Sequence, residues 1–164
     1  MTYRWNYSTL TNDQKNKRDE LAKELNLHPV LTELLIKRGI ETKEKATGFL
    51  YPKLKDLHDP FLLPDMDLAI RRIEKALGNK ERILIYGDYD VDGTTAVSLV
   101  YKFFRGITSN IDYYIPDRYD EGYGISFHGI DYAVETGVKL IISLDCGIKA
   151  VGKVAYAKEK GIDF

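Results

Sequence analysis

A buried strand that ends in a row of acidic residues is the feature that most constrains this chain. Residues 83–98 read ILIYGDYDVDGTTAVS, so an apolar run leads into Asp88, Asp90 and Asp92. The apolar run predicts a buried strand, and the segment from Thr94 onwards predicts a helix. If the backbone stays extended between them, the three carboxylates point to one face, about 7 Å apart.

Three carboxylates on one face repel one another and therefore indicate a bound cation. Two unit charges about 4 Å apart repel by about 4 kcal/mol at an effective dielectric constant of about 20. A metal ion offsets this repulsion, and a ligand set made only of oxygen favours a hard ion such as Mg²⁺ or Mn²⁺. We therefore predict a divalent-metal site built from Asp88, Asp90 and Asp92.

Three other kinds of structure contain a comparable acidic run. A calcium-binding EF-hand loop needs Glu at its twelfth position, where this chain has Leu99, so we reject it. A solvated turn in which Asp92 caps the following helix needs no metal. A haloacid-dehalogenase-type phosphatase would use Asp90 as its nucleophile and Asp92 as its acid or base. That phosphatase remains the alternative function.

The rest of the chain predicts a parallel α/β sheet with helices on both faces, preceded by a small helical N-terminal region. Amphipathic patterns predict helices at about residues 13–26, 30–38 and 42–50. After a proline-containing linker, helices alternate with apolar strands at 82–86, 111–115 and 139–144. We therefore expect residues 1–65 to form the N-terminal arm and helical region, and residues 66–164 to form part of an α/β domain.

A fourth acidic residue follows the third predicted strand. Ligands bind at the carboxyl ends of the strands in sheets of this kind, and Asp145 and Cys146 stand there in the segment ISLDCGI. Asp145 is therefore a further predicted metal ligand, and capping the next helix is its alternative role. Cys146 has no basic neighbour in the sequence and is predicted to be a small buried residue.

The loop after the second strand, IPDRYDEGYGIS, predicts a substrate-binding surface. Arg118 can contact a phosphate through two N–H groups. Gly122 and Gly124 allow the backbone to approach a ligand closely, and Tyr123 can stack or form a hydrogen bond. A flexible surface loop in which Arg118 pairs with a neighbouring acid is the alternative.

Composition limits where such a site acts. The net charge of −1 gives no general indication of nucleic-acid or membrane binding, and no apolar run approaches the length of a membrane span. A single cysteine excludes an internal disulfide and suits a reducing compartment. The N-terminus lacks the apolar centre of a signal peptide, so we expect a cytoplasmic protein. Its residues Tyr3, Trp5 and Tyr7 predict a packed aromatic arm, with base stacking as the alternative.

The motifs GDYDVDGTT, IPDRYDEGYGIS and LDCGI, in this order at successive strand ends, together resemble the DHH phosphoesterase superfamily. The sequence from His28 onwards is similar to the branch of single-stranded-DNA-specific exonucleases, and Tyr86 stands where the small nucleotide-cleaving branches carry His. The Asp-His-His motif that names the superfamily does not occur in the chain. Because residues 161–164 also predict the start of a fourth strand, we expect the chain to be a truncated N-terminal part.

This resemblance implies a metal-dependent 5′→3′ exonuclease that hydrolyses phosphodiester bonds of single-stranded DNA in repair and recombination. It implies two ions, Mn²⁺ or Mg²⁺, with Asp90, Asp92 and Asp145 as catalytic ligands and Asp145 between the ions. Asp88 would be a further ligand or would support one. The phosphate would be held by Arg118 with the Gly122–Gly124 segment.

The resemblance also carries expectations about activity and partners. The chain alone should be inactive or very weak, because at least one metal position lacks its ligands. Single-stranded DNA is the expected substrate, with a helicase or a single-strand-binding protein as partners and no membrane. An unpaired sheet edge also favours self-association. A non-catalytic nucleic-acid-binding module remains a further alternative.

Overall fold

The computed structural model describes residue 4 and residues 6–164 of the chain. It contains two compact units, one ending at Asp59 and the other running from Pro60 to Phe164. The division falls inside the proline-containing segment that the sequence marks as a linker. In the described part of the chain, no helix combines the length and the apolar character needed to cross a membrane.

The first unit is a group of helices around a small apolar core. Its helices are α1 (Asn12–Leu25), α2 (Pro29–Lys37) and α3 (Lys43–Leu50). Each follows a residue whose side chain accepts a hydrogen bond from the first turn: Thr11, His28 and Thr42. The buried core residues are Leu10, Leu21, Leu35, Ile36 and Ala46. These caps explain why the helices begin within one residue of their predicted positions.

Tyr7 ties part of the N-terminal arm to this unit. Its hydroxyl donates a hydrogen bond to the Glu33 carboxylate, and the Lys37 ammonium lies 3.6 Å from the centroid of its ring. Tyr7 is therefore held on the surface of α2 and remains 68% exposed. Tyr3 and Trp5 lie outside the described residues, so a base-stacking role for the arm stays a prediction.

A parallel sheet forms the centre of the second unit. In the described part of the chain its strands are β1 (Arg82–Gly87), β2 (Ile111–Tyr114) and β3 (Val138–Leu144), in the order β2-β1-β3. Ile83 pairs in parallel with Ile111 on one side and with Leu140 on the other. The central place of β1 explains its unbroken apolar run, because both of its faces are buried.

Helices cover both faces of this sheet: α4 (Met66–Gly78), α5 (Val91–Arg105), α6 (Phe127–Glu135) and α7 (Val151–Glu159). Ile83 and Ile85 of β1 pack in the layer that contains α4 and α5. Leu84 and Tyr86, which point the other way, pack in the layer that contains α6 and α7. The predicted fold class, a parallel α/β sheet with helices on both faces, is therefore confirmed.

The segment after α7 adds one further bridge to the sheet. Asp163 pairs in parallel with Leu140, and its carbonyl accepts a hydrogen bond from the Ile141 N–H at 2.8 Å. Arg72 of α4 contacts the Asp163 carboxylate at 2.5 Å. Residues 161–164 thus occupy a fourth strand position beside β3, as their sequence predicts.

Candidate metal and substrate site

The acidic run lies where β1 ends and α5 begins. Asp90 occupies the N-cap position of α5, and its side chain accepts a hydrogen bond from the Gly93 N–H at 2.9 Å. The helix therefore begins at Val91, ahead of the start predicted at Thr94. The interpretation in which Asp92 caps this helix is wrong, although Asp suits the cap at either position.

Gly93 allows α5 to begin directly against the end of β1. A Cβ atom at Gly93 would lie 2.6 Å from the backbone nitrogen of Asp88 and 2.8 Å from its carbonyl carbon. A Cβ atom at Gly87 would overlap the side chain of Val97 and would lie 3.0 Å from the Gly93 carbonyl oxygen. Because only glycine fits these contacts, the pair sets where the acidic residues lie relative to the helix.

Asp88 is fully buried, which is unusual for a carboxylate. Its Oδ1 accepts a hydrogen bond from the Tyr89 N–H at 2.7 Å. Its Oδ2 is buried and accepts no hydrogen bond of good geometry among the described residues, although the Tyr123 hydroxyl interacts with the same carboxylate. A buried carboxylate oxygen without a partner is costly unless a donor or a cation binds it. This oxygen is therefore the strongest single indication of a ligand at this edge of the sheet.

Two neighbouring side chains show that Asp88, Asp90 and Asp145 share one electrostatic environment. Burial, together with the charges of these three acids, raises the pKa of the Cys146 thiol to about 11. A hydrogen bond from the Tyr123 hydroxyl to the Asp88 carboxylate, followed by the charge of Asp88 and more weakly by those of the other two acids, raises the pKa of the Tyr123 phenol. The protonated Cys146 thiol is a neutral neighbour and not a nucleophile at neutral pH.

The carboxylates share this edge without forming a finished coordination shell. No group of three or more His, Cys, Asp or Glu side chains in the described part of the chain is placed to hold a metal ion. Asp92 is exposed in the first turn of α5, one oxygen of Asp90 caps that helix, and Asp145 is exposed with a φ of 56°. The expectation that extended backbone aims the whole acidic run at one point is therefore wrong. Ala150 takes the N-cap position of α7, so Asp145 does not cap it.

The Gly-Tyr-Gly segment is held against β1 by the buried hydroxyl of Tyr86. This hydroxyl accepts a hydrogen bond from the Ser126 N–H at 3.0 Å and donates one to the Gly124 carbonyl at 3.2 Å. Burial raises the pKa of the Tyr86 phenol, so it stays protonated and keeps both roles. Gly122 and Gly124 have φ angles of 79° and 80°, a conformation that favours glycine.

Glu121 anchors the preceding part of the same loop. Its carboxylate accepts hydrogen bonds from the Tyr114 hydroxyl at 2.9 Å, from the Asp117 N–H at 2.8 Å and from the Ser126 hydroxyl. Burial alone would raise the pKa of Glu121, but these hydrogen bonds lower it below its ordinary value. This internal anchoring argues against a flexible surface loop.

Arg118 and Tyr123 flank Tyr89, the residue after Asp88. The guanidinium carbon of Arg118 lies 4.7 Å from the centroid of the Tyr89 ring. The rings of Tyr123 and Tyr89 meet edge to face, with their centroids 6.0 Å apart. The loop after β2 and the acidic end of β1 therefore lie in contact. Arg118 is exposed beside the acids, where an anionic ligand can reach it.

An open cleft of about 380 Å³ lies between this loop and the start of α7. Among the residues that line it are Tyr123, Ile125, Asp145, Ile148, Lys149 and Lys153. The Lys153 ammonium donates a hydrogen bond to the Ile125 carbonyl, which ties α7 to the loop. One predicted ligand, Asp145, and two predicted substrate-binding residues, Tyr123 and Gly124, thus line the same cleft.

Sequence reasoning missed the roles of three residues that position the site. The Tyr86 hydroxyl is the single side-chain polar group between Ile83 and Gly87, and that exception was a usable signal. Glu121 stands in a loop rich in charged residues, and Lys153 stands on a helix that also contains Lys158. Only their contacts in the folded chain distinguish these two from solvated neighbours.

The family model named DHH family, N-terminal domain, matches residues 82–164, which is about half of the chain. The chain belongs to the DHH family. The matched region contains Asp88, Asp90, Asp92 and Asp145 together with the loop after β2. The match agrees with the family that the motifs at the three strand ends resemble.

Curated relatives of this DHH-family chain are single-stranded-DNA-specific exonucleases named RecJ. The chain is 41% identical to the protein of Bacillus subtilis over 149 residues, which cover 91% of this chain and 19% of the relative. It is 33% identical to the Haemophilus influenzae protein, over 90% of this chain and 25% of the relative. The chain therefore spans about a fifth to a quarter of the length of these relatives.

Two solved structures have the same fold as this DHH-family chain. A RecJ exonuclease bound to manganese is 30% identical, with a TM-score of 0.55 over 62% of this chain and 26% of that one. The RecJ of Thermus thermophilus in complex with Mn²⁺ has a TM-score of 0.64 over 90% of this chain and 20% of that one. Because the sequence identity to this second structure is only 23%, the similarity shows a shared fold and nothing more.

Proposed function

We propose that this chain supplies the acidic strand ends and the substrate loop of a 5′→3′ single-stranded-DNA exonuclease. The enzyme would hydrolyse phosphodiester bonds in DNA repair and recombination. The observation that carries the proposal is the buried, unpartnered Oδ2 of Asp88 beside Asp90 and Asp145, within the region that matches the DHH family. The exonuclease names of the relatives support the choice of reaction.

The proposed cofactor is a pair of divalent ions, Mn²⁺ or Mg²⁺. The donor chemistry fits, because the candidate ligands offer only carboxylate oxygens and one of these is buried without a partner. We assign Asp88, Asp90 and Asp145, which act on the same thiol, as ligands, and the last two as catalytic. Asp92, exposed in the first turn of α5, is proposed as a further catalytic ligand on the strength of its place in the acidic run. When bound, two such ions activate a water molecule and stabilise the leaving oxygen.

The chain's own residues bind and orient the DNA strand in this proposal. The guanidinium of Arg118 holds a phosphate, and its position is supported by the Tyr89 ring beneath it. The Gly122–Gly124 backbone approaches the same phosphate, and Tyr123 offers a ring for stacking. The Tyr86 and Glu121 hydrogen bonds keep this loop in place, so little ordering is needed when DNA binds.

The proposal extends to location, partners and the activity of the chain alone. A DNA substrate and a single cysteine suit the cytoplasm. A helicase or a single-strand-binding protein would supply the DNA strand. Self-association would use β2, which lies at one side of the sheet and has a free edge in the described part of the chain. Because its sequence contains no Asp-His-His motif, we propose that the 164-residue chain alone has little or no nuclease activity. We place the start of the α/β domain at residue 66, where α4 begins, a short way after the division of the two compact units at Pro60.

The test is a chimera in which this chain replaces the aligned segment of the Bacillus subtilis relative. With Mn²⁺, the chimera is expected to release mononucleotides from the 5′ end of single-stranded DNA and to leave a blunt duplex intact. Strands labelled at the 5′ or the 3′ end measure the direction, the unmodified relative is the positive control, and the chain alone should cleave little.

Three results would contradict the proposal. A folded chimera that digests DNA from the 3′ end or without a metal would refute the reaction. Salt-sensitive DNA binding without cleavage would favour the non-catalytic module. A trapped phospho-aspartate at Asp90 would favour the covalent phosphatase.

A further inference from the structure

We propose that the cleft between the Gly-Tyr-Gly segment and the start of α7 binds one nucleotide of the substrate strand beside Asp145. The choice of a nucleotide as the ligand rests on the proposed function. The place where the nucleotide binds is inferred from the residues that line the cleft. The volume of about 380 Å³ lies within the roughly 300–1,000 Å³ that small-molecule sites span.

The apolar walls of the cleft suit the flat face of a base. The side chain of Ile148 is 95% exposed and the ring of Tyr123 is 64% exposed, and both line the same cleft. Ile125 is buried and adds an apolar surface between them and the sheet. A base that enters this space covers exposed apolar surface and can stack on the aromatic ring.

The charged walls suit the phosphate of the same nucleotide. Lys149 and Lys153 line the cleft together with one acid, Asp145. Lys153 is engaged by the Ile125 carbonyl and also lies 5.8 Å from the centroid of the Phe127 ring. Lys149 is exposed and takes part in no ion pair in the described part of the chain, so its ammonium is available to an anion. Lys149 is therefore the phosphate contact.

The cleft is built before any ligand enters. The Ala150 N–H donates a hydrogen bond to the Gly147 carbonyl at 2.8 Å, which closes the turn that carries Ile148 and Lys149. Gly147 has a φ of 101°, and a Cβ atom there would lie 3.2 Å from the Ser143 hydroxyl oxygen. A wall that is already ordered binds a ligand with a smaller loss of conformational entropy.

The test measures the binding of thymidine 5′-monophosphate to the 164-residue chain by calorimetry in a buffer that contains Mn²⁺. Lys149→Glu is expected to weaken this binding about tenfold, because it replaces a charge-assisted contact with a repulsive one. Ile148→Ser should weaken the binding of both the nucleotide and thymidine. Both side chains are exposed, so neither substitution should lower the melting temperature.

Two control variants and two further ligands make the result decisive. Lys158→Glu, at an exposed lysine of α7, and Val151→Ser, at an exposed apolar position, lie outside the cleft and should leave the affinity unchanged. Affinity for the nucleotide that is unchanged by Lys149→Glu and Ile148→Ser, or no binding by the unmodified chain, would overturn the proposal. Inorganic phosphate binding as tightly as the nucleotide would also overturn it. If the unmodified chain did not bind Mn²⁺, that result would count against the proposed function. Failure of the proposed function can therefore be told apart from failure of the nucleotide site.

Discussion

Asp145→Asn in the chimera with the Bacillus subtilis relative is expected to reduce the rate of DNA cleavage by about a hundredfold or more. Residues that only support a metal ligand contribute about 10- to 100-fold to affinity or activity, so a ligand itself should contribute at least the upper value. Asparagine removes the charge and keeps an oxygen. It also tolerates the left-handed conformation of this residue, whose φ is 56°. The measurement is the initial rate on labelled single-stranded DNA at saturating Mn²⁺.

Asp65→Asn is the matched control for this substitution. Asp65 is also an exposed aspartate with a positive φ, of 61°, and it lies far along the chain from the acidic strand ends. Asp65→Asn should leave the rate of DNA cleavage unchanged. A rate that falls only in Asp145→Asn then reports the loss of a metal ligand and not a general effect of replacing Asp in a turn with positive φ. A cleavage rate within a factor of two of the unmodified chimera in Asp145→Asn would contradict the assignment of Asp145.

Gly93→Ala is expected to lower the free energy of unfolding of the second unit by about 3 kcal/mol. The new methyl group would lie 2.6 Å from the Asp88 nitrogen, so α5 has to move away from the end of β1. The three nearest atoms all belong to the Asp88 backbone, which cannot rotate aside as a flexible side chain can. The measurement is urea unfolding followed by circular dichroism at neutral pH.

Gly152→Ala in α7 separates this steric effect from helix propensity. A Cβ atom at Gly152 meets nothing within 4 Å, so alanine there should be neutral or stabilising by about 0.5–1 kcal/mol. If Gly93→Ala were as stable as Gly152→Ala, the close contact between α5 and Asp88 would not exist in solution.

The order of strands and helices follows from apolar patterns that local sequence carries. Residues 82–86, 111–115 and 139–144 are short apolar runs, and each of the three strands begins and ends within one residue of them. The helices between them are amphipathic and end near glycine or a basic residue. The carboxyl ends of parallel strands share one edge, so the neighbourhood of Asp88 and Asp145 was also predictable.

The start of α5 was not predictable from local sequence, because two aspartates compete for the cap. Asp90 and Asp92 are equally suitable in chemistry, and each is followed by residues that a helix accepts. A tertiary contact decides between them. Gly93 packs on the backbone of Asp88, and this places the Gly93 N–H within hydrogen-bond distance of the Asp90 carboxylate. Asp92 therefore lies in the first turn of α5, where it is exposed.

The central claim, that the acidic strand ends bind a divalent metal, is tested most directly by calorimetric titration of Mn²⁺ into the 164-residue chain and its Asp90→Asn variant. Asparagine is as good an N-cap as aspartate, so α5 keeps its start while the site loses one charge. We expect the chain to bind Mn²⁺ and Asp90→Asn to bind it at least about tenfold more weakly. Equal affinity in the two proteins, or no binding by the unmodified chain, would contradict the assignment.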